Sequence, residues 1–472
     1  MAGVNSSLLG VLVLTRHGDR QVFYQPDTYT ALDTIITPLG EAEEFQLGGL
    51  LRSLYFDVNS TAYIEGIFPS TSAVNNTQVQ LVADAGYEGG VTYKSALALS
   101  QGLWPATQAS NITLANGTVV HSPLGGYQYV TIDSVMPDAD VSLEGWMSCP
   151  NFDTATAQVY ASSQFQQVAS QNALFLASLA DLVGGRPVTL QNIWNVRIRN
   201  AYNFMNVQYT YNPAFPGACP PSVLRKARQL ANYHESAIFT SPTLNSIHNI
   251  PGQAILPRIL DTLAQLANTS DPLKFESISL SYQPFLSLFS MMNISGSNAN
   301  LSGIINFAGS ATFEVRSING SAPFVRFALK NGSEDATYAS QPFFGGSSDI
   351  PLATLQTNLE PFTIRTLSSW CKTCGNKATR GCNLVTAAES GSHPSVSPLA
   401  AGFIGASVTL AFAVVILALM LLMGLVSVGR GRRVSASVRG VRGPRHPNAL
   451  PLETPVKRVT STDDATESWE GK

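Results

Sequence analysis

Charged residues are scarce in this chain. Asp, Glu, Lys and Arg make up only 12% of its 472 residues, about half of the roughly 25% that is usual for a globular protein. One long apolar segment near the C-terminus accounts for part of the deficit, and a Ser/Thr/Asn-rich, lightly charged region accounts for the rest. A surface of this kind must stay soluble by other means, and attached glycans would serve.

The motifs of several functional classes are absent from this sequence. No glycine-rich loop that would cradle nucleotide phosphates is present, and residues 1–428 carry 19 basic against 26 acidic side chains. Nucleic-acid binding is therefore not expected. Cys371-x-x-Cys374 is typical of a zinc or redox pair, but no second pair with ligand spacing accompanies it. We expect neither a metal nor a cofactor.

Cysteine is also sparse, and its count is odd. Five cysteines leave at least one thiol unpaired or bound to another molecule. In an exported protein the others are expected to form disulfides, but the sequence leaves the pairing open. The cysteines are Cys149, Cys219, Cys371, Cys374 and Cys382.

The N-terminus has no basic segment and no clear cleavage site for a signal peptidase. Its apolar run, residues 7–14, is short and predicts a strand rather than a leader. Because an exported N-terminal domain normally needs a signal, either the signal peptide is missing from this chain or export is unusual, and we expect the former.

Residues 399–428 form an uncharged stretch of thirty residues, whereas about 20 apolar residues suffice to span a bilayer. Arg430, Arg432 and Arg433 follow at once, so the C-terminal side is predicted to be cytosolic. The expected organisation is a single-pass membrane protein with an extracellular or lumenal ectodomain at residues 1–390, a linker at 391–398, a transmembrane helix at 399–428 and a basic, disordered tail at 429–472.

Acceptor motifs for N-glycosylation support an exported ectodomain. Ten Asn-x-Ser/Thr sequons lie before residue 335 and none lies after it. Each is a weak signal alone. They begin at Asn5, Asn59, Asn75, Asn111, Asn116, Asn268, Asn293, Asn300, Asn319 and Asn331.

Strand-like and helix-like segments alternate along residues 8–380, which predicts an α/β sheet flanked by helices. A helix-rich insertion is expected at about residues 106–240. The predicted strands are 7–14, 275–282, 308–316 and 324–329, and the predicted helices are 38–55, 95–103, 155–182, 222–236 and 253–267.

The sequence Arg16-His17-Gly18-Asp19-Arg20 closes the first predicted strand. The carboxyl end of such a strand is where α/β sheets bind ligands. Two guanidinium groups match phosphate oxygens, and an imidazole between them could attack phosphorus. Gly18 permits close backbone approach.

Arg-His-Gly-x-Arg after an apolar strand resembles the signature of the histidine acid phosphatases, a family that includes phytases. Further matches occur in the same order along residues 8–380, and the resemblance implies a phosphoglycerate-mutase-like fold. They are Thr37-Pro38-Leu39-Gly40-Glu41, Gln46-Leu47-Gly48, Leu51-Arg52, Tyr55, Ser95-Ala96, Gly102-Leu103-Trp104-Pro105, Ala308-Gly309-Ser310 and Phe313-Glu314.

The resemblance assigns roles to three residues. His17 would be the nucleophile that becomes phosphohistidine, while Arg16 and Arg20 would bind the phosphoryl group of a phosphorylated small molecule. These roles imply phosphomonoester hydrolysis without a cofactor.

The other half of the family's site is replaced in this sequence. Val91 stands where a third phosphate-binding arginine is expected, and Tyr282-Gln283 stands where a His-Asp pair is expected. Tyr282 could still donate a hydrogen bond to phosphate, but an amide cannot supply the leaving group with a proton. Glu235 is a conceivable acid, although a solvated position on a helix is the simpler expectation.

Three hypotheses remain open at this stage. The chain is an active phosphatase of altered mechanism, a pseudophosphatase that binds phosphate or another ligand at the cell surface, or a glycoprotein that uses the fold for structural or partner contacts. The sequence does not decide whether it is an enzyme, and it leaves the oligomeric state open.

Overall fold

The computed structural model describes residues 6–21, 34–69, 72–86, 90–194, 200–297, 299–318 and 320–389. Its strands are β1 (Ser7–Arg16), β2 (Arg20–Gln21), β3 (Ile35–Ile36), β4 (Val79–Asp84), β5 (Ile112–Thr113), β6 (Val119–Val120), β7 (Ile132–Val135), β8 (Phe275–Leu280), β9 (Ser310–Ser317), β10 (Phe324–Lys330), β11 (Ala339–Ser340) and β12 (Asp349–Pro351). Its helices are α1 (Pro38–Tyr55), α2 (Val91–Leu103), α3 (Pro123–Gly126), α4 (Pro150–Ala161), α5 (Ser163–Gln171), α6 (Ala173–Ser178), α7 (Ala201–Tyr211), α8 (Phe215–Ala218), α9 (Pro221–Phe239), α10 (Ile250–Ala267), α11 (Gln283–Met291), α12 (Ile294–Ser297), α13 (Leu352–Leu359), α14 (Leu367–Cys374) and α15 (Cys382–Glu389).

The main sheet has the strand order β11-β10-β9-β1-β8-β4-β7, and β12 pairs with β10. Strand β1 is near its centre, parallel to β8 and antiparallel to β9. Its side chains alternate between two hydrophobic clusters, with Leu12 and Leu14 on one face and Val11 and Val13 on the other. This two-sided burial explains the continuous apolar run in the sequence.

Three parallel strands end together at one edge of this sheet. In the register, Arg16 at the end of β1 is paired with Leu280 at the end of β8, and β4 runs parallel to β8. The Arg-His-Gly-Asp-Arg motif therefore begins at the carboxyl edge, where the strand backbone no longer fills the space and side chains can form a site.

Helix α1 packs its first turn directly on the motif. The Thr37 hydroxyl accepts a bond from the Gly40 amide at 3.0 Å and caps the helix. A Cβ atom on Gly18 would lie 2.4 Å from the Gly40 carbonyl oxygen. Only glycine permits this approach, so the motif and the Thr-Pro-Leu-Gly segment form one packed unit.

Most of the predicted elements are confirmed, with one clear exception. Helix α1 has the predicted bounds, and β9 and β10 form the predicted antiparallel pair. The single helix predicted at 155–182 is wrong, because that segment breaks into α4, α5, α6 and a 3-10 turn. Ser162 ends α4 with extended backbone angles and caps α5 with its hydroxyl, a change that hydrophobic periodicity alone does not reveal.

The mixed α/β architecture with helices around a central sheet agrees with the predicted fold class. The bounds of the insertion, about 106–240, stay a prediction. Within that range, strand β7 pairs with β4 and so extends the main sheet at one edge.

One disulfide joins helix α14 to the rest of the described chain, and a second joins α14 to α15. Cys149 bonds to Cys374 across 225 residues, and Cys371 bonds to Cys382 across 11 residues. The two cysteines of Cys371-x-x-Cys374 thus have different partners. Cys219 is a free, buried thiol, in agreement with the odd count.

None of the helices in the described part of the chain is long and apolar enough to cross a bilayer. The predicted linker, transmembrane segment and tail at 391–472 lie outside the described residues.

Glycosylation also stays a prediction. Asn5 and Asn319 lie outside the described residues. The sequon asparagines Asn59, Asn116, Asn268 and Asn293 are exposed, and Asn75, Asn111 and Asn331 are partly exposed.

Candidate functional site

His17 is fully buried at the carboxyl edge of the sheet, with 0% exposure. Its amide donates to the Leu280 carbonyl at 3.3 Å, and its carbonyl accepts from the Ala308 amide at 3.2 Å. The ring Nδ1 lies 2.8 Å from the Gly18 carbonyl oxygen. Since a carbonyl can only accept, Nδ1 carries the proton of the neutral ring and Nε2 keeps the lone pair. This tautomer is the one in which Nε2 can act as a nucleophile.

Arg16 is held by aromatic rings and by a backbone carbonyl. Its guanidinium lies 4.4 Å from the centre of the Phe307 ring and 5.3 Å from that of Tyr282. One terminal nitrogen donates to the Ile305 carbonyl. The Phe307 ring also lies 5.5 Å from the His17 ring, so the segment at 305–307 contacts both motif residues.

A cavity of about 300 Å³ opens beside the motif. Arg16 and Asp19 form part of its wall, and a second arginine, Arg228, forms another part. Among the described residues, neither His17 nor Arg20 lines it. The wall consists of Arg16, Asp19, Leu39, Glu43, Trp194, Tyr202, Asn203, Asn206, Thr210, Arg228, Ile304, Asn306, Phe307, Ser333 and Glu334.

Arg228 reaches the cavity from helix α9. Its terminal nitrogens donate to the Ile304 carbonyl at 2.6 Å, to Asn306 Oδ1 at 2.8 Å and to the Tyr202 hydroxyl at 3.3 Å. Arg16 and Arg228 therefore both bind the segment at 304–306. Sequence reasoning missed Arg228, because nothing around it distinguishes it from a surface arginine of an amphipathic helix.

Asp19, which lines the cavity, accepts hydrogen bonds from two hydroxyl groups. Its Oδ2 accepts from the Thr37 hydroxyl at 2.7 Å and from the Tyr211 hydroxyl. Burial and the bond to Asp19 raise the pKa of Tyr211 to about 12. The phenol is therefore protonated across the physiological range and serves Asp19 as a donor.

Glu43 on helix α1 is the partly buried carboxyl group of the cavity wall. Its Oε2 accepts from the Asp19 amide at 2.8 Å, and its Oε1 accepts from the Ser333 hydroxyl at 3.2 Å. Burial and the negative charge of Asp19 raise the pKa of Glu43, although the Asp19 amide and Arg16 oppose the shift. Sequence reasoning missed this residue too.

Arg20 begins strand β2, which pairs with β3 through Ile36. It is only 4% exposed. The structure thus buries all the motif side chains but brings only Arg16 and Asp19 to the cavity wall.

The hydroxyl of Tyr282 belongs to a buried network. It accepts from the Trp194 indole nitrogen at 2.7 Å and donates to Glu235 Oε2 at 2.6 Å. Glu235 Oε1 in turn lies 2.8 Å from Nδ1 of His234. Burial, reinforced by Glu235, raises the pKa of Tyr282 well above its usual value. The ring of Tyr282, rather than its hydroxyl, contacts the motif at Arg16.

The expectation that Glu235 is a solvated helix residue is wrong. It is 3% exposed, and the partners that bury it are 47 residues away at Tyr282 and beside it at His234. A partner as distant as Tyr282 cannot be inferred from the helical pattern around 222–236.

The remaining replaced positions lie at the same edge of the sheet. Val91 is the first residue of α2 and is fully buried. Gln283 is the first residue of α11 and is 5% exposed. Within the described part of the chain, its Oε1 and the hydroxyl of the nearby Ser281 have no hydrogen-bond partner. Neither residue is part of the cavity wall.

Comparison with curated proteins identifies distant relatives of one kind. The chain is 24% identical over 272 residues to the lysosomal acid phosphatases of Rattus norvegicus and Homo sapiens, a match that covers 56% of this chain and 58% of each relative. The match thus spans less than two thirds of those proteins. No protein-family model matches the sequence.

Solved structures with the same fold cover more of the chain. The phytase of Citrobacter braakii has a TM-score of 0.52 at 14% identity, over 78% of this chain and 99% of its own. The phytase of Hafnia alvei in complex with tartrate also has a TM-score of 0.52 at 14% identity, over 79% of this chain and 99% of its own. This likeness establishes the fold, and together with the relatives it confirms the resemblance to the histidine acid phosphatases.

Proposed function

We propose that the chain is a membrane-anchored phosphomonoesterase of the histidine acid phosphatase type, with His17 as nucleophile and Arg16 as a phosphate ligand. The observation that supports this most directly is the pair of guanidinium groups, Arg16 and Arg228, on one cavity beside the motif. Two fixed cations in a confined space suit a phosphate dianion better than a neutral ligand.

In the proposed reaction, Nε2 of His17 attacks phosphorus and the ester oxygen leaves as the alcohol. The hydrogen bond from Nδ1 to the Gly18 carbonyl stabilises the positive charge that develops on the ring. Water then hydrolyses the phosphohistidine. Because Phe307 lines the cavity and lies against the His17 ring, a shift of its ring would bring substrate to the imidazole.

Arg228 takes over the charge that Val91 cannot supply. Removal of one donor that stabilises a transferring group typically costs about 2.7–4 kcal/mol in the transition state. Arg20, which is buried and does not line the cavity among the described residues, keeps the role that the resemblance gives it, as a second phosphate ligand.

The test is hydrolysis of 4-nitrophenyl phosphate by the purified full-length chain between pH 4 and 7. The wild type should release phosphate, His17→Ala should reduce the rate to the uncatalysed background, and Arg228→Ala should lower kcat/KM about 100- to 1,000-fold. A wild-type rate equal to that of His17→Ala would refute the proposal.

A second candidate function is phosphate binding without turnover. Its supporting observation is the position of Phe307, which lies against His17 on the cavity wall while His17 itself does not line the cavity. In that case inorganic phosphate should bind to the wild type and to His17→Ala with equal affinity in calorimetry. Arg16→Ala should abolish the binding, and none of the proteins should hydrolyse the ester.

The proposed membrane arrangement places residues 1–390 on the extracellular or lumenal side and residues 429–472 in the cytosol. It rests on the uncharged segment at 399–428, the arginines that follow it and the sequons that precede it. Treatment of the cell-expressed protein with an N-glycosidase should lower its apparent mass. Unchanged migration would count against an exported ectodomain.

A further inference from the structure

A proton source for the leaving group is the missing element of the proposed reaction. An alkoxide is a poor leaving group, and a positioned acid that protonates it typically accelerates such a step about 10²- to 10⁴-fold. Gln283 has no acidic proton. Three carboxyl groups line the cavity among the described residues, namely those of Asp19, Glu43 and Glu334.

Two of the three are poorly suited to donate a proton. Oδ2 of Asp19 is occupied as an acceptor by the hydroxyls of Thr37 and Tyr211. Glu334 is exposed at the rim, where water competes for its carboxyl group and nothing described holds it towards the cavity.

We infer that Glu43 is the general acid, a role that rests on the proposed function. Its Oε2 is fixed by the amide of Asp19 at 2.8 Å, inside the motif itself. Its Oε1 has one partner in the described structure, the exposed Ser333 hydroxyl at 3.2 Å. This hydroxyl can rotate to accept a proton as readily as it donates one. Oε1 is thus the oxygen from which a proton can reach a ligand in the cavity.

The surroundings of Glu43 are consistent with a protonated carboxyl group under mildly acidic conditions. Burial and the charge of Asp19 raise its pKa, and partial exposure on the cavity wall gives the attacking water access to its carboxylate. The charged or titratable groups that interact with it are Arg16, Asp19, Glu44, Tyr211 and Lys330, and Glu334 shares the cavity wall.

The proton and the electron pairs balance in this scheme. Nε2 of His17 forms a bond to phosphorus with its lone pair, and the bond from phosphorus to the ester oxygen breaks. That oxygen takes the proton of Glu43 and leaves as an alcohol. The Glu43 carboxylate then accepts a proton from the water that attacks the phosphohistidine, which returns both side chains to their starting states.

Two substrates with different leaving groups distinguish a general acid from a residue with a purely structural role. 4-Nitrophenyl phosphate needs no acid because its phenolate is stable, whereas glycerol 2-phosphate does need one. Glu43→Gln should lower kcat/KM for glycerol 2-phosphate about 100-fold or more and for the nitrophenyl ester less than 10-fold. The Gln amide oxygen can still accept from the Asp19 amide, so the motif should keep its geometry.

Glu41→Gln is the matched control, because Glu41 is exposed on the first turn of the same helix. It should leave both rates unchanged, and Glu43→Gln should keep the wild-type inhibition constant for inorganic phosphate. Equal losses for the two esters, or no loss, would overturn the role of Glu43 while the proposed function stands. A wild type no faster than His17→Ala would overturn both.

Discussion

The resemblance assigns Tyr282 to the position of a phosphate-binding histidine, whereas in the structure its hydroxyl bonds to Trp194 and Glu235. The substitution Tyr282→Phe tests this difference. It removes the bond from Trp194 and the bond to Glu235, at 2.7 and 2.6 Å, and it leaves an indole N–H and a carboxyl oxygen buried without these partners. The ring that packs beside Arg16 is retained.

The expected cost follows from those two groups. A hydrogen bond contributes about 0.5–1.5 kcal/mol net, and a buried polar group left without a partner costs about 1–3 kcal/mol. Because Tyr282 is only 1% exposed, water cannot easily replace the lost partners. We expect a loss of about 2–4 kcal/mol in the free energy of unfolding.

Thermal unfolding is a suitable assay. An unfolding entropy of about 2.1 cal/mol/K per residue gives roughly 0.8 kcal/mol/K for about 380 residues, so the melting temperature should fall by about 2.5–5 °C. The affinity for phosphate should change less than threefold. Tyr160→Phe, which removes a half-buried hydroxyl at the outer end of the same network, should lower the melting temperature by less than about 2 °C.

The opposite pattern would refute this account of Tyr282. If Tyr282→Phe melted within 1 °C of the wild type but lost most of its phosphate affinity, the hydroxyl would have to face the ligand. The network to Glu235 would then be dispensable.

Two further predictions concern helix α1. Gly48→Ala should destabilise the protein by about 1–3 kcal/mol, because its Cβ would lie 2.2 Å from the Leu99 carbonyl oxygen. The Cβ of Gly49→Ala would meet open space, so this substitution should stabilise the protein by about 0.5–1 kcal/mol. Equal effects of the two substitutions in urea denaturation would contradict the packing of α1 on α2. Burial, and then the charge of Glu43, raises the pKa of Glu44 well above 4.5, against the opposing effect of Lys330. The stability that Glu44 contributes is therefore complete below pH 4.5 and is lost as the pH rises through the raised pKa. Glu44→Gln should consequently raise the urea midpoint above that of the wild type by more at pH 7.5 than at pH 4.5. A difference between the two urea midpoints that did not depend on pH would refute this.

The sequence was sufficient for the elements whose signals are local. The apolar run of β1 and the Thr-Pro start of α1 predicted those elements to within a few residues. The motif was expected at the carboxyl edge of the sheet because it directly follows the first predicted strand, and α/β sheets bind ligands at that edge. The helix break at Ser162 could not be predicted, because a hydroxyl that caps one helix leaves the hydrophobic period of 155–182 almost unchanged.

The site could be predicted only in part, because its wall comes from distant segments. Arg16, Arg228 and Phe307 line one cavity although they are as many as 291 residues apart in the chain. No local pattern marks an arginine that will bind a loop carbonyl 76 residues later. The roles that the family pattern assigns to the positions of Val91 and Gln283 stay predictions, and the sequence did not indicate that both side chains are buried.

The choice between catalysis and binding depends on the energy with which the segment at 305–307 holds Arg16. A bond from a charged donor to a carbonyl contributes about 1.5–3 kcal/mol, and a cation–π contact at 4.4 Å contributes about 0.5–2 kcal/mol. If phosphate must displace both contacts with Ile305 and Phe307, roughly 2–5 kcal/mol is lost, which lowers its affinity about 30- to 5,000-fold. Phe307→Leu should remove the aromatic part of this competition, and it should therefore tighten phosphate binding and expose His17 together. A variant that bound phosphate more weakly than the wild type would mean that Phe307 supports the ligand rather than excludes it.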